Sequence, residues 1–163
     1  MIRVLFVCMG NICRSPLAQG AFEKRVADKG LSRHIMVDSA GTISYHNGKP
    51  PDKRSIAAAS ARDMDISGQR SRLLHPDDIE DFHYILVMDI DNYRRVHEIA
   101  GVTEGELPHV RLLLDYAPHM PLKEVPDPYS GHARDFDNVL RAVDDASIGL
   151  LNTIIDENNL GAE

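Results

Sequence analysis

Runs of branched and aromatic apolar residues alternate along the chain with stretches whose apolar positions recur every three or four residues. The runs are typical of strands buried on both faces, and the longer spacing is typical of helices that bury one face. The predicted strands cover residues 2–7, 34–41, 84–88 and 110–117. The first predicted helix has Ser15 at its N-cap and ends near Gly30. Further helices are predicted over residues 52–64, over residues 90–100 and at the C-terminus over the apolar positions 136–154. The acidic residues 76–81 are expected to form a solvated face or a helix start.

Strands that alternate with helices favour a parallel sheet covered by helices on both sides. We therefore expect an α/β fold, a three-layer sandwich with a four-stranded, twisted parallel sheet flanked by helices. The chain has 163 residues, and no repeat or linker divides it, so one domain over residues 1–163 is expected. Ligands of such folds bind at the carboxyl ends of the strands. The loop between the first strand and the first helix is thus the first candidate site.

Composition and charge exclude several classes of protein. The net charge is −7, which argues against a general nucleic-acid binder. The two cysteines are too few for a disulfide scaffold. The N-terminal apolar run is shorter than a signal peptide or a membrane span requires. We expect a cytoplasmic protein that binds neither nucleic acid nor membrane.

The first loop, in the stretch VCMGNICRSP, holds Cys8, five further residues, then Arg14 and Ser15. It matches neither the dinucleotide nor the nucleoside-triphosphate pattern of glycines. A loop of this length that runs into a helix can turn its backbone N–H groups inward around an anion, and Gly10 and Asn11 suit the bend. Arg14 can grip two oxygens of a tetrahedral oxyanion, and all these donors favour a Cys8 thiolate. The Ser15 hydroxyl can donate a hydrogen bond to the sulfur. The spacing predicts a nucleophile at the bottom of a phosphate-sized cup.

A general acid is needed if the leaving group is a phenolate, whose conjugate acid has a pKa of about 10. Asp127 in VPDPYSG is the best candidate, because Pro126 and Pro128 fix the backbone on both sides of it. The same carboxylate could later act as the base toward water.

The motifs VCMGNICRSP, DSAGT and DPYSG, in this order, resemble those of the low-molecular-weight protein tyrosine phosphatase family over essentially the whole chain. The resemblance implies hydrolysis of phosphotyrosine in proteins through a cysteinyl-phosphate intermediate, without metal or cofactor. It implies Cys8 as nucleophile, Arg14 as phosphate clamp and Asp127 as general acid and base. The other implied site residues are the phosphate cradle Met9, Gly10, Asn11, Ile12 and Cys13, the supporting network of Asn11 with Ser15, Ser39 and Gln69, and the aromatic walls Tyr45 and Tyr129.

Three positions depart from the family pattern. Gln69 stands where a histidine usually joins the asparagine network, and Met9 replaces the usual leucine after the nucleophile. Ser130 stands where many relatives have a second tyrosine. We expect the loop to survive the glutamine, whereas the serine removes an aromatic surface and changes substrate preference.

Other functions stay open at this point. Relatives that hydrolyse phosphoarginine tend to carry threonine where this chain has Ile12, and arsenate reductases of the same fold need cysteines beyond Cys8 and Cys13. A phosphate-binding or phosphocarrier module is the non-enzymatic alternative. The two cysteines could also bind zinc, or Cys13 could capture an oxidised Cys8 as a disulfide. Tyr45 and Tyr129 could be mere packing residues.

The resemblance also implies partners. They are tyrosine-phosphorylated proteins and, among bacterial relatives, a cognate tyrosine kinase. We expect a monomer or a weak dimer.

Overall fold

A four-stranded, fully parallel sheet forms the centre of the molecule, as predicted. The computed structural model describes residues 1–161, so the last two residues of the predicted domain lie outside the described part. In chain order the elements are β1 Ile2–Cys8, α1 Arg14–Asp28, β2 Ile35–Gly41, α2 Lys53–Ser60, α3 Pro76–Asp81, β3 Tyr84–Val87, α4 Ile90–Ala100, β4 Val110–Leu112, a 3-10 turn Leu113–Tyr116 and α5 Ala133–Asn158.

The strand order β2-β1-β3-β4 puts β1 inside the sheet. Residues 4–7 of β1 are fully buried, and they alternate between the two sheet faces. At the carboxyl end of β1, Cys8 pairs with Gly41 of β2. The loop after β1 therefore starts beside the loops that follow both neighbouring strands.

Helices cover both faces and complete the three layers. Helices α1, α2 and α5 pack in one apolar core with Val4 and Phe6, whereas α3 and α4 pack in the other with Leu5 and Val7. Helix α5 has 26 residues and buries the predicted apolar stripe against α1. Within residues 1–161, none of the helices combines the length and the hydropathy that a membrane span requires.

The first helix begins two residues earlier than predicted. Cys13 is the N-cap and Arg14 the first helical residue, so the prediction of Ser15 as the N-cap is wrong. The reason is chemical: the Ser15 hydroxyl contacts Cys8 and Asn11 instead of a backbone N–H of its own helix. The start of α1 is thus set by the loop that precedes it.

Two other predicted elements are too long. Helix α2 ends at Ser60 because Asp63 adopts a left-handed φ of 61° and the Met64 N–H bonds back to the Ala59 carbonyl, which closes the helix. Strand β4 ends at Leu112 because a 3-10 turn follows and places Leu113 and Leu114 in the same apolar core, whereas successive residues of a strand face opposite sides of the sheet.

The acidic segment 76–81 is helix α3. The side chains of His75 and Asp78 cap its first turn reciprocally.

Candidate active site

The loop after β1 turns its backbone carbonyls outward, where neighbouring groups hold them. The carbonyls of Cys8 and Met9 accept hydrogen bonds from the backbone of residues 42 and 43, which follow β2. A loop with its carbonyls on the outside presents its N–H groups to the inside, as an anion nest requires. The remaining outward bonds are Ser71 Oγ to Gly10 O at 3.0 Å, Asp52 N to Ile12 O at 2.8 Å and Ser55 Oγ to Cys13 O at 3.3 Å.

Asn11 adopts a left-handed conformation with φ 56°, which costs free energy for a residue with a side chain. The loop passes so close to Gly41 that a Cβ added at Gly41 would lie 2.7 Å from the Met9 carbonyl oxygen and 3.1 Å from the Asn11 Cβ. The glycine of DSAGT is therefore required by the close approach of the loop to the end of β2.

The Asn11 side chain holds this conformation through three hydrogen bonds. Its Nδ2 donates to Ser15 Oγ at 2.8 Å and to Ser39 Oγ at 3.0 Å, and its Oδ1 accepts from the Arg72 N–H at 3.1 Å. An amide NH₂ can only donate, so Ser15 Oγ accepts from it and keeps its own hydrogen for the Cys8 sulfur, 3.0 Å away. The network thus aims one hydroxyl donor at Cys8, which stabilises a thiolate.

Gln69 does not take part in this network. Its Nε2 donates to the Pro16 carbonyl at 3.2 Å, and its Oε1 is buried without a partner within the described residues. Gln19 is bonded instead, because its Oε1 accepts from Ser39 Oγ at 2.7 Å. The family resemblance matched Gln69 to the usual histidine, but in the structure it is Gln19 that is connected to Asn11, through Ser39.

Arg14 lies almost fully buried beside the sulfur, with 4% of its side chain exposed. Its Nη1 donates to Asp89 Oδ2 at 2.6 Å and to the Val125 carbonyl at 3.0 Å. Burial acts to lower the pKa of Arg14, but the neighbouring Cys8, Asp89 and Asp127 raise it above its ordinary value. The guanidinium is therefore a fixed positive charge at the centre of the site.

Asp127 faces this charge from the loop before α5. Its Oδ2 lies 4.0 Å from Arg14 Nη2, and 43% of its side chain is exposed. Its Oδ1 accepts the Tyr129 N–H at 3.1 Å, which fixes the carboxylate relative to its own loop. A carboxyl group with one free oxygen near the cup is in reach of a leaving group and of water.

Cys13 lies in the same loop, but its thiol is not suited to act as a nucleophile. Burial, reinforced by the charges of Asp52, Cys8 and Asp127, raises the pKa of the Cys13 thiol to about 12. Both cysteines are free thiols. Cys13 thus stays protonated at neutral pH.

A cleft leads from the solvent to Cys8 between Tyr45 and Tyr129. His46 stands between them, with ring centroids 4.7 Å from Tyr45 and 6.4 Å from Tyr129. The cavity has a volume of about 230 Å³, below the roughly 300–1,000 Å³ of pockets for drug-sized ligands. It fits a single aromatic ring with an oxyanion. Its lining residues are Cys8, Met9, Gly10, Ile12, Cys13, Arg14, Ile43, Tyr45, His46, Asp127 and Tyr129.

The structure brings all the predicted site residues except Gln69 into this cleft or its support, and it adds others. Asp89 was missed, although an aspartate two residues after the buried strand β3 is a recognisable signal, since β3 neighbours β1. His46 and Gln19 gave no signal of their own. No group of three or more metal-ligating side chains within residues 1–161 is arranged to hold a metal ion.

Comparisons with known proteins agree with the motifs. The family model "Low molecular weight phosphotyrosine protein phosphatase" matches residues 3–160. The low molecular weight protein-tyrosine-phosphatase YfkJ of Bacillus subtilis is 37% identical over 98% of this chain and 100% of its own, and its crystal structure superimposes with a TM-score of 0.90 over 96% of each chain. The low molecular weight phosphotyrosine protein phosphatase of Homo sapiens is 38% identical over 83% of this chain and 85% of its own. A crystal structure of a protein tyrosine phosphatase from Entamoeba histolytica, 32% identical, gives a TM-score of 0.90 over 97% of this chain and 99% of that one.

Proposed function

The chain belongs to the low molecular weight phosphotyrosine protein phosphatase family, and we propose that Cys8, Arg14 and Asp127 carry out its reaction. The protein is an enzyme, a protein-tyrosine phosphatase, and its substrates are phosphoproteins. The assignment of roles is supported most directly by the hydroxyl of Ser15, whose hydrogen is left for the Cys8 sulfur at 3.0 Å.

In the first step the Cys8 thiolate attacks the phosphorus of the aryl phosphate. The S–P bond forms while the P–O bond to the tyrosine ring breaks, and Asp127 gives its proton to the departing phenolic oxygen. Arg14 and the inward N–H groups of residues 9–14 bind the equatorial oxygens, where charge is carried in the transition state. The products are a free tyrosine side chain and a phosphorylated Cys8.

In the second step water attacks the phosphorus of the phosphocysteine. The Asp127 carboxylate takes a proton from that water, a new P–O bond forms and the S–P bond breaks. The Ser15 hydroxyl stabilises the departing Cys8 thiolate. Inorganic phosphate leaves, and both side chains regain their starting protonation states.

The supporting residues complete the proposal. Met9, Gly10, Ile12 and Cys13 supply the phosphate cradle around Asn11, whose Nδ2 bonds Ser39 at 3.0 Å. Tyr45 and Tyr129 would embrace the phenyl ring of the substrate. Since the cavity leaves room for one ring, we expect phosphotyrosine to be preferred to larger side chains.

We also propose a setting for this enzyme. One phosphatase domain covers residues 1–163, and the free thiols of Cys8 and Cys13 suit a reducing cytoplasm. A tyrosine kinase would supply the substrates, and the protein would act as a monomer or a weak dimer.

Two variants test the roles of the catalytic residues. Cys8→Ser is expected to be inactive. Asp127→Ala is expected to lose about 10²–10⁴-fold in kcat/KM on phosphotyrosine peptides and much less on p-nitrophenyl phosphate, whose leaving group needs no proton. Asp137→Ala, which removes an exposed carboxylate of α5, is the matched control and should leave both rates unchanged. Equal losses on the two substrates would reject Asp127 as the general acid. A phosphoarginine peptide that is cleaved faster than a phosphotyrosine peptide would reject phosphotyrosine as the preferred substrate.

A further inference from the structure

Arg54, in the first turn of α2, contacts the loop that carries Asp127. Its Nη2 donates to the Tyr129 carbonyl at 2.9 Å, and its Nη1 donates to the Gly131 carbonyl at 3.1 Å. Its guanidinium carbon also lies 4.4 Å from the ring centroid of Phe136 in α5. One side chain therefore binds the loop at two points, on the side of Asp127 that leads into α5.

Asp52 fixes the orientation of this guanidinium. Its two carboxylate oxygens accept from Arg54 Nε at 3.1 Å and from Nη2 at 3.0 Å. Asp52 is also the N-cap of α2 and donates its own N–H to the Ile12 carbonyl at 2.8 Å. The first turn of α2 thus joins the phosphate-binding loop to the loop of the proposed acid.

Different elements of the fold hold the loop where it precedes Asp127. On the opposite side, the Val125 N–H bonds to the Met88 carbonyl at 2.8 Å, and the Val125 carbonyl accepts from Arg14. The Asp127 carboxylate accepts the Tyr129 N–H, and this bond ties it to the backbone of residue 129. The bond from Arg54 to the Tyr129 carbonyl acts on this same residue.

We propose that Arg54 is a positioning residue for catalysis, which holds the loop of residues 127–131 so that the Asp127 carboxylate points at the leaving-group oxygen. This inference rests on the proposed role of Asp127. Four of the five N–H groups of the guanidinium are used at once, in one plane, toward three different residues. A lysine carries a single ammonium and cannot reproduce this geometry.

The test is a series of substituted phenyl phosphates that differ in leaving-group acidity but keep the same ring. The slope of log kcat/KM against the leaving-group pKa reports how well a proton is delivered, because kcat/KM covers the steps up to departure of the phenol. The slope is measured for the wild type, Arg54→Ala, Arg54→Lys and Asp127→Ala. Arg62→Ala is the matched control, since it removes an arginine paired with Asp144, away from both loops.

For Arg54→Ala we expect kcat/KM on phenyl phosphate to fall about tenfold to a hundredfold, with a much smaller loss on p-nitrophenyl phosphate, so that the slope becomes steeper. Arg54→Lys should lie between this variant and the wild type, and Arg62→Ala should match the wild type. In the Asp127→Ala background, adding Arg54→Ala should leave the slope unchanged, because the group that it positions is gone.

A fall in rate at an unchanged slope would overturn the inference, since Arg54 would then serve binding or folding alone. A further change of slope in the Asp127→Ala background would overturn it as well. If Arg54→Ala fails to fold, the slope of Arg54→Lys decides in the same way. If Asp127→Ala itself keeps the wild-type slope, the proposed role of Asp127 fails, whatever Arg54 does.

Discussion

The carboxylate of Asp89 serves two partners with its two oxygens. Oδ1 accepts the N–H of Asn92 at 2.7 Å and caps α4, whereas Oδ2 accepts from Arg14 at 2.6 Å. Serine is as good an N-cap as aspartate but is too short and carries no charge for Arg14. Asp89→Ser therefore separates the two functions, because it keeps the cap and removes the ion pair.

The expected loss of stability follows from the burial of the Asp89–Arg14 ion pair. Breaking a buried ion pair costs about 3–5 kcal/mol of unfolding free energy. The Asp89 side chain is 21% exposed, and Arg14 keeps its bond to the Val125 carbonyl, so a smaller loss of about 2–3 kcal/mol is expected for Asp89→Ser. Asp89→Ala should lose about 1 kcal/mol more, because it also removes the cap.

Catalytic activity should also fall in Asp89→Ser, because Arg14 loses the carboxylate that holds it in position. We expect kcat/KM of Asp89→Ser to drop about tenfold to a hundredfold, and by the same factor for good and poor leaving groups, since Arg14 binds the phosphoryl group and not the phenol. This equal loss would distinguish Asp89 from Asp127 and Arg54.

Urea unfolding and steady-state kinetics on the two aryl phosphates measure both effects. Asp91→Ser is the control: it removes an exposed acidic residue from the same helix turn and should cost less than about 1 kcal/mol. An Asp89→Ser protein that is as stable and as active as the wild type would refute the reasoning, since Arg14 would then be held by other groups.

Two further outcomes concern protonation. With the pKa of Cys13 raised to about 12 by burial, iodoacetamide at neutral pH should alkylate Cys8 and spare Cys13, as peptide mass mapping can establish; preferential labelling of Cys13 would contradict this. Hydrogen bonds from Arg54 lower the pKa of Asp52, so Asp52 adds stability above its unfolded-state value, and this stability is lost as the pH falls through the lower folded-state value. The unfolding free energy of Asp52→Asn should therefore decline less steeply than that of the wild type below about pH 4, and equal acid limbs in urea titrations would argue against the pair.

The sheet and its order of elements could be predicted because each strand is a local feature. Branched apolar runs stay recognisable wherever they pack, and the period of α5 survives over its whole length. The predictions failed where the chain leaves a regular element for a tertiary reason. Leu113 and Leu114 are as apolar as a strand, yet they turn into the core beneath α5.

The candidate site was predicted where chemistry lies within one short segment. Cys8, Arg14 and Ser15 share a loop, so their spacing alone indicates an anion site. Asp89 could not be paired with Arg14 in the same way, because 75 residues separate them and only the neighbouring positions of β1 and β3 bring them together.

The same limit applies to the supporting contacts. Arg54 reaches Tyr129 across 75 residues, and no spacing rule connects α2 to the loop before α5. Gln69 is the opposite case. The resemblance matched its position to the family histidine, but its side chain donates to the Pro16 carbonyl instead of joining the Asn11 network.

The most direct test of the account is to trap the phosphoryl group on the enzyme. Asp127→Ala should still form the phosphocysteine from p-nitrophenyl phosphate but hydrolyse it slowly, because it lacks the base for the second step. Rapid denaturation during turnover, followed by peptide mass mapping, should find phosphate bound covalently to Cys8. Turnover with no covalent phosphate on Cys8, or with phosphate on another residue, would contradict the account.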